Sequence, residues 1–589
     1  MKKLFVTFLL SLISFSAIGA PLATANILNF GAKCDGVTND TTAIQNALNS
    51  AYKIIVPPGP SGGVCVTNAE LTIPAGRTIS GGGTIQNTSS DIFLIDSASN
   101  IQVSRLHFIG GPAYIVFFVQ DTTAPSSNLT ITDNIVQDAR LFNSFSALHG
   151  GGSPYFYIYY ATAANRAKNI VITGNVGYTS SPVTPHGTQD MFILVQFAEH
   201  VTISNNVAYG YNDGIQLWGG DWNKANWSAT YRNAGQATID GNSVEAVYSG
   251  ISVVSAYNVT STGNTVQDTS AEALDAEASQ TVSFSGNTLN SVTQAFNVFN
   301  DVTDITFDSN TVSMATVASN GALAMNTQVT SAYADAGAVR VTNNTITAPG
   351  VQANMAQFPM GAGVKNWIIT GNVFRNVFWP GSDTANGLTF DNNTLIYEAQ
   401  FPVSFPWAFA TPSGVSATYT NPETVPHFSI RNDKILNATG TTLADTGIQI
   451  QSCTVACTMD IEGNTTETAE GITLADPGAS AAKTIFIRNN ILANSVYPFG
   501  SPVNTNVTDK VFVSGNVTPG GGDAVASPVG ASPSGTVWNA GPTNIPYVQG
   551  SAIMAYPPSA GGIPGWICTT AGVPNGGTGV FKGMAALAP

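Results

Sequence analysis

Three carboxylates stand within the short stretch "EALDAE", as Glu272, Asp275 and Glu277, in a chain of which only 9% of residues are charged. Asp213 lies upstream in "YNDGIQLW", and Asp190 follows His186 in "TPHGTQDMFILV". Glycoside hydrolysis needs two carboxyl groups across the scissile bond, about 5 to 5.5 Å apart for retention and about 6.5 to 9.5 Å for inversion. Crowding of like charges raises one pKa and keeps that carboxyl protonated as the acid. Asp213 with Asp190, or Asp213 with Asp275, is the expected acid and nucleophile or base, with Glu272 as a further catalytic candidate. An aspartate in a turn-rich chain also caps turns, so each residue keeps that plainer reading beside the catalytic one.

Sugar recognition would use aromatic faces and hydroxyl-binding groups. "LWGGDWNKANW" supplies Trp218, Asp221, Trp222, Lys224 and Trp227, and Tyr211, Gln216, His186 and Glu277 complete the expected substrate-binding set. The stretch lengthens the connection between Asn206 and Asn242 to 36 residues, and long connections in compact domains are often functional. A second insertion, 138–168 with "SPYFYIYY", forms the expected opposite wall. Aromatics clamping their own loop, and a structural His186, are the alternatives.

What positions these residues is a repeat. "ITDNIV" at 131, "ITGNVG" at 172, "ISNNVA" at 203, "IDGNSV" at 239, "STGNTV" at 261, "FSGNTL" at 284 and "FDSNTV" at 307 are followed by six more copies up to "VSGNVT" at 513. "IRNDKI" at 430 is a degenerate member. Each unit reads as a short strand, a turn carrying Asn, and another short strand, which is one coil of a solenoid. Asn tolerates the left-handed backbone, and stacked amides can bond from coil to coil. The β-branched content and the lack of apolar spacing at three and four exclude a helical repeat. Coils stack about 4.8 Å apart, so equivalent positions form columns. With Ile215, Ile251 and Leu274 as one inward column, Asp190, Asp213, Ser249 and Glu272 fall in another, and Ile193, Gln216, Ser252 and Asp275 in a third.

The segment "TNDTTAIQNALNSA" predicts a helix capped by Asp40 or Thr41, with Ala43, Ile44, Ala47 and Leu48 as its apolar face. Together with "NFGAKCDGVTND" and "IIVPPG" it resembles the opening of the pectate-lyase-like superfamily of right-handed parallel β-helices. The resemblance covers residues 27 to 82 and fits the repeats through about 518. It implies an all-β, single-stranded parallel β-helix with an N-terminal capping helix, and a broad carbohydrate-active class without a reaction. Cys34, where that opening has a small residue, and Cys65 in "GGVCVT" suggest a local disulfide. "YNDGIQ" resembles a polygalacturonase strand with Asp213 at a catalytic aspartate. Gln216 stands in place of that family's second aspartate, and "SGISVV" lacks its paired aspartates, which argues against polygalacturonase activity itself. "GIPGWICTTAG" at 562–572 resembles a terminal motif of some secreted and phage β-helix proteins.

The resulting divisions are a signal peptide at 1–25, cap and first coils at 26–82, β-helix at 83–518 and a Gly/Pro/Ala-rich tail or cap at 519–589. "MKKLFVTFLLSLISFSAIGAPLATAN" has the layout of a secretory signal with cleavage expected after Ala25, giving a secreted, soluble protein. Loss of Lys2 and Lys3 takes the 20 basic residues to 18 against 35 acidic, a formal charge of −17 rather than −15, which disfavours nucleic acid and anionic membranes as partners. Five cysteines allow two disulfides, Cys34 with Cys65 and Cys453 with Cys457, leaving Cys568. No cofactor is required by the chemistry, although acidic columns could take calcium through oxygen ligands. The oligomeric state stays open, with monomers and trimers as the alternatives. A secreted glycoside hydrolase is the leading expectation. A polysaccharide lyase would need a base from Lys224, Arg232 or His186, and a non-catalytic glycan-binding spike would need only dispersed turn caps.

Overall fold

The computed structural model describes residues 22–59, 63–138, 156–159, 166–179, 191–220, 234–316, 322–328, 337–349, 356–378, 387–398, 407–409, 427–438, 443–450, 456–474, 483–492 and 510–516, with a few residues omitted inside some stretches. Short strands at 552–554, 565–570 and 580–583 are described as well.

Each repeat contributes one coil, and successive coils pair in parallel. Among the described residues the coils build an 18-stranded and a 26-stranded sheet. Register is held by the inward aliphatics. Leu129, Ile170, Val201, Ala237, Val259, Val282, Ile305, Val339 and Trp367 stand directly above one another, all buried. Each large aliphatic so buried contributes about 1.5–3 kcal/mol, and a one-residue slip would turn a whole row outward.

The turn asparagines form a buried ladder. Asn264 accepts from both the backbone N–H and the side-chain amide of Asn242 at 2.9 Å, and donates to Asn287 at 2.9 Å and the Ile239 carbonyl at 3.0 Å. The same pattern links Asn134, Asn175, Asn206, Asn242, Asn264, Asn287, Asn310, Asn344, Asn372 and Asn393. The left-handed backbone, however, belongs to the residue before each ladder member: Asn205 at φ 54°, Gly241 at 62°, Ser309 at 55° and Asn343 at 55°. That division explains the recurring "GN", "NN" and "SN" pairs. The first residue makes the turn, and the second satisfies buried backbone groups. Asn264→Ala leaves the buried Asn242 N–H and the Ile239 carbonyl short of partners. We expect it to lower unfolding free energy by about 3 kcal/mol, counting about 1–3 kcal/mol per orphaned group, as read from the urea midpoint.

The predicted helix forms at Thr41–Ser50, with Ile44, Ala47 and Leu48 buried against the first coil. Asp40 is its N-cap residue, but its carboxylate accepts from the backbone of Lys33 at 2.6 Å and Cys34 at 2.9 Å instead of capping the helix. Cys34 and Cys65 are disulfide-bonded. Cys457 is also disulfide-bonded, and Cys453 lies outside the described residues. Leu22–Asn26 pairs in parallel with Ala51–Ile55, so cleavage after Ala25 would cut a strand of the first coil. Near the C-terminus Gly565–Thr570 pairs antiparallel with Ala552–Met554 and Val580–Gly583, unlike the coils. No helix among the described residues is long and apolar enough to cross a membrane.

Candidate active site

Two twelve-residue strands, Val207–Trp218 and Ser243–Val254, run through a bend where the other coils break into two strands. Register shifts on either side of Tyr211 mark the bend. Beyond it the rows are regular. Ile215, Ile251, Leu274, Phe296 and Met325 form an inward apolar row, and next to it runs Gln216, Ser252, Asp275, Asn297 and Asn326. Five polar residues in consecutive coils on one row would be costly unless mutually bonded or used by a ligand.

Asp275 is the centre of this row and is only 7% exposed. Asn297 donates from its amide nitrogen to the Asp275 Oδ1 at 2.6 Å, and Ser252 bonds it from the other side. Burial pushes the carboxyl well above the ordinary value, and the charges of Glu277 and Glu272 push it the same way, against the two hydrogen bonds. The site therefore favours the protonated form of Asp275 more than an exposed carboxyl would. Asn297 is itself 4% exposed, and its amide oxygen has no partner among the described residues. A half-turn of that amide would let its oxygen accept from the protonated acid, where now its nitrogen donates to Oδ1.

Glu277 lies two residues on, on the same face of the strand, which places the two Cα atoms about 6.6 Å apart. Asn300 donates to its Oε1 at 3.0 Å. Burial and the charge of Glu272 nevertheless raise it to about 7. Glu272, at the start of the strand, accepts from the Ser249 hydroxyl at 3.2 Å, and Ser249 stands directly opposite Asp213. Tyr248, beside Ser249, is pushed up by burial and by the charges of Glu272 and Asp213. Asp213 accepts from the Asn212 amide at 3.1 Å. Asp213, Glu272, Asp275 and Glu277 thus belong to one connected electrostatic group.

Of the expected substrate contacts, Gln216 takes its place in the polar row. Trp218 lies in the same row as Glu277, two coils away, with Val254 between them, and packs its ring 5.4 Å from Phe197. Tyr211 is not a surface residue. The bend turns it inward, where it is fully buried with its ring 5.3 Å from Phe192. The column that joined Asp190 to Asp213 is also corrected. Met191 stands opposite Asp213, and Leu194, not Ile193, stands opposite Gln216. Asp190, His186, Asp221, Trp222, Lys224 and Trp227 lie outside the described residues. Sequence reasoning missed Asn297, Asn300 and Tyr248. Carrying the columns one coil further, onto "QAFNVFN", would have found the two asparagines.

Among the described residues the one cluster with spacing for a metal is Cys34, Asp40 and Cys65, where the two sulfurs are already joined to each other.

The stacked parallel coils, buried asparagine ladder and capping helix define a parallel β-helix. No protein-family model and no curated protein matches the chain. Solved structures do. PfbA, a surface adhesin of Streptococcus pneumoniae, is 11% identical over 77% of this chain and 93% of its own, with a TM-score of 0.39. The N-terminal fragment of bacteriophage Phi29 gene product 12 is 13% identical over 87% and 97%, at 0.38. The catalytic unit of a thermostable GH87 alpha-1,3-glucanase from Streptomyces thermodiastaticus strain HF3-3 is 13% identical over 85% and 70%, at 0.27. Likeness at this level carries nothing about the site.

Proposed function

We propose that the chain is a glycoside hydrolase acting on a polysaccharide, with Asp275 as general acid and Glu277 as general base. The observation that carries the reading is the pair itself: two carboxyls on one strand face, one deeply buried and pushed well above the ordinary carboxylate range, the other raised to about 7. Environments that drive two neighbouring carboxyls apart assign an acid and a base. The pair is read as inverting, with a water between the two carboxyl groups, an arrangement that needs about 6.5 to 9.5 Å between them.

In the step so assigned, Asp275 gives its proton to the glycosidic oxygen as the bond to the anomeric carbon breaks. A water attacks that carbon from the opposite face and passes a proton to Glu277. The products are a free reducing end of inverted configuration and an alcohol, and one proton returns from Glu277 to Asp275 through solvent. The charge of Glu272 acts on both members of the pair, Asp213 acts with it on Tyr248, and Gln216, Ser252 and Asn326 supply hydrogen bonds along the row. Tyr248 is a poor base for β-elimination, since its proton is held more tightly than an ordinary phenol's.

The test puts the full chain on a panel of plant, fungal and bacterial polysaccharides, following new reducing ends and the ultraviolet absorbance of unsaturated sugars. Reducing ends without absorbance, lost in both Asp275→Asn and Glu277→Gln, are expected. Absorbance appearing with the reducing ends would replace hydrolysis by elimination, and silence across the panel would leave a glycan-binding protein.

A further inference from the structure

The asparagine ladder has one member that is not asparagine. In "IRNDKI" the ladder position is Asp433, 1% exposed, in the coil between Asn393 and Asn464. Its Oδ1 does what every ladder oxygen does, accepting from the Asn393 backbone N–H at 2.7 Å and amide at 3.0 Å. Its own N–H donates to Asn464 Oδ1 at 2.9 Å. The second oxygen occupies the place of the amide nitrogen. At every neighbouring coil that nitrogen donates twice: to the next ladder oxygen, and to the carbonyl three residues before the preceding ladder member. Asn393 donates to Asp433 Oδ1 and the Ile369 carbonyl, and Asn464 to Asn490 Oδ1 and the Ile430 carbonyl. For Asp433 the equivalent acceptors are Asn464 Oδ1 and the Phe390 carbonyl. Asp433 Oδ2 is buried and, among the described residues, without a partner.

We infer that Asp433 carries a proton in the folded chain and donates it to a ladder acceptor, so that the ladder contains one joint whose continuity depends on pH. An ionised carboxylate would set oxygen against oxygen in a buried turn, whereas a carboxylic acid has the donor that the position demands. The charged and titratable side chains described on the three coils, Asp433 apart, are Asp391 and Glu398, then His427, Arg431 and Lys434, then Asp460, Glu462 and Glu467. Arg431 lies between Asp391 and Glu462 in the neighbouring row. Burial raises the Asp433 carboxyl well above its ordinary value, and the charge of Asp391 adds to it, against the two bonds from Asn393.

The sign follows from linkage. A group that binds its proton more tightly when folded contributes its full stability below the ordinary value of 3.8, and that stability is lost as pH rises through the folded value. Asp433→Asn restores the repeat's own donor and cannot titrate. Melting of the full chain is measured for wild type and Asp433→Asn from pH 4 to pH 9. The two are expected to converge at the acid end and to separate as pH rises, with the variant more stable. A pH-independent difference, or a wild type that gains on the variant with rising pH, overturns the inference. The infrared spectrum at pH 6 gives the second readout: a protonated-carboxyl stretch present in wild type and reduced in Asp433→Asn supports it, and identical spectra overturn it.

Discussion

Replacing Asp275 with asparagine lowers turnover on the cleaved polysaccharide about a hundred- to ten-thousand-fold, the contribution of a positioned general acid, and stabilises the protein at alkaline pH. Both effects come from one property. Asp275 is held among Asn297, Ser252, Glu272 and Glu277 at 7% exposure, and both neighbouring glutamate charges oppose its ionisation. As an acid it is useful because its proton is retained until a leaving oxygen takes it. As a structural element it is a liability, because its stability contribution is full below 3.8 and drains away as pH rises through the raised folded value. An asparagine keeps the shape and the row of amides without the charge. The melting temperature of the variant should equal that of wild type near pH 4 and exceed it increasingly above. A variant that is inactive and also less stable at every pH would mark Asp275 as a packing residue, and one that stays active would remove it from the chemistry.

The solenoid was legible in the sequence because its determinants are local and repeated. "GN" and "NN" dipeptides with aliphatics two residues before them fix each turn and its inward row, and thirteen copies in a chain leave little freedom. The helix at Thr41–Ser50 was legible for the same reason. Columns were legible only as far as the count from the ladder asparagine stays constant. Gln216 lies ten residues after Asn206, Ser252 ten after Asn242 and Asn297 ten after Asn287, but Asp275 lies eleven after Asn264 and Leu194 nineteen after Asn175. Ile251 and Leu274 could be matched by eye across the first irregularity. No such anchor crosses the insertion before Met191, so Asp190 was placed one residue out of step, and a slip of one moves a side chain to the other face. Tyr211 failed differently. A residue in an alternating strand reads as outward or inward by parity, and the bend beside it breaks parity. Burial, which separates the roles of Asp275 and Glu277, is a property of the assembled coils and has no signature in "EALDAE".

The pH profile of hydrolysis offers the sharpest separation of roles. Glu277 must be ionised to take a proton from water, and burial with the Glu272 charge lifts it from 4.5 to about 7. The value of kcat/KM should therefore rise with pH up to about 7, then hold until Asp275 begins to lose its proton. Two neighbours shift that rising limb in opposite directions. Glu272→Gln removes a negative charge that disfavours the Glu277 carboxylate, so the limb moves to lower pH. Asn300→Ala removes a donor that favours the carboxylate, so the limb moves to higher pH. A purely structural role for either residue would reduce activity without moving the limb. Activity that falls, instead of rising, through pH 7 would make Glu277 the proton donor and transfer the role of base to another carboxylate of the group, with Glu272 the first to be tested because its charge already acts on both members of the pair.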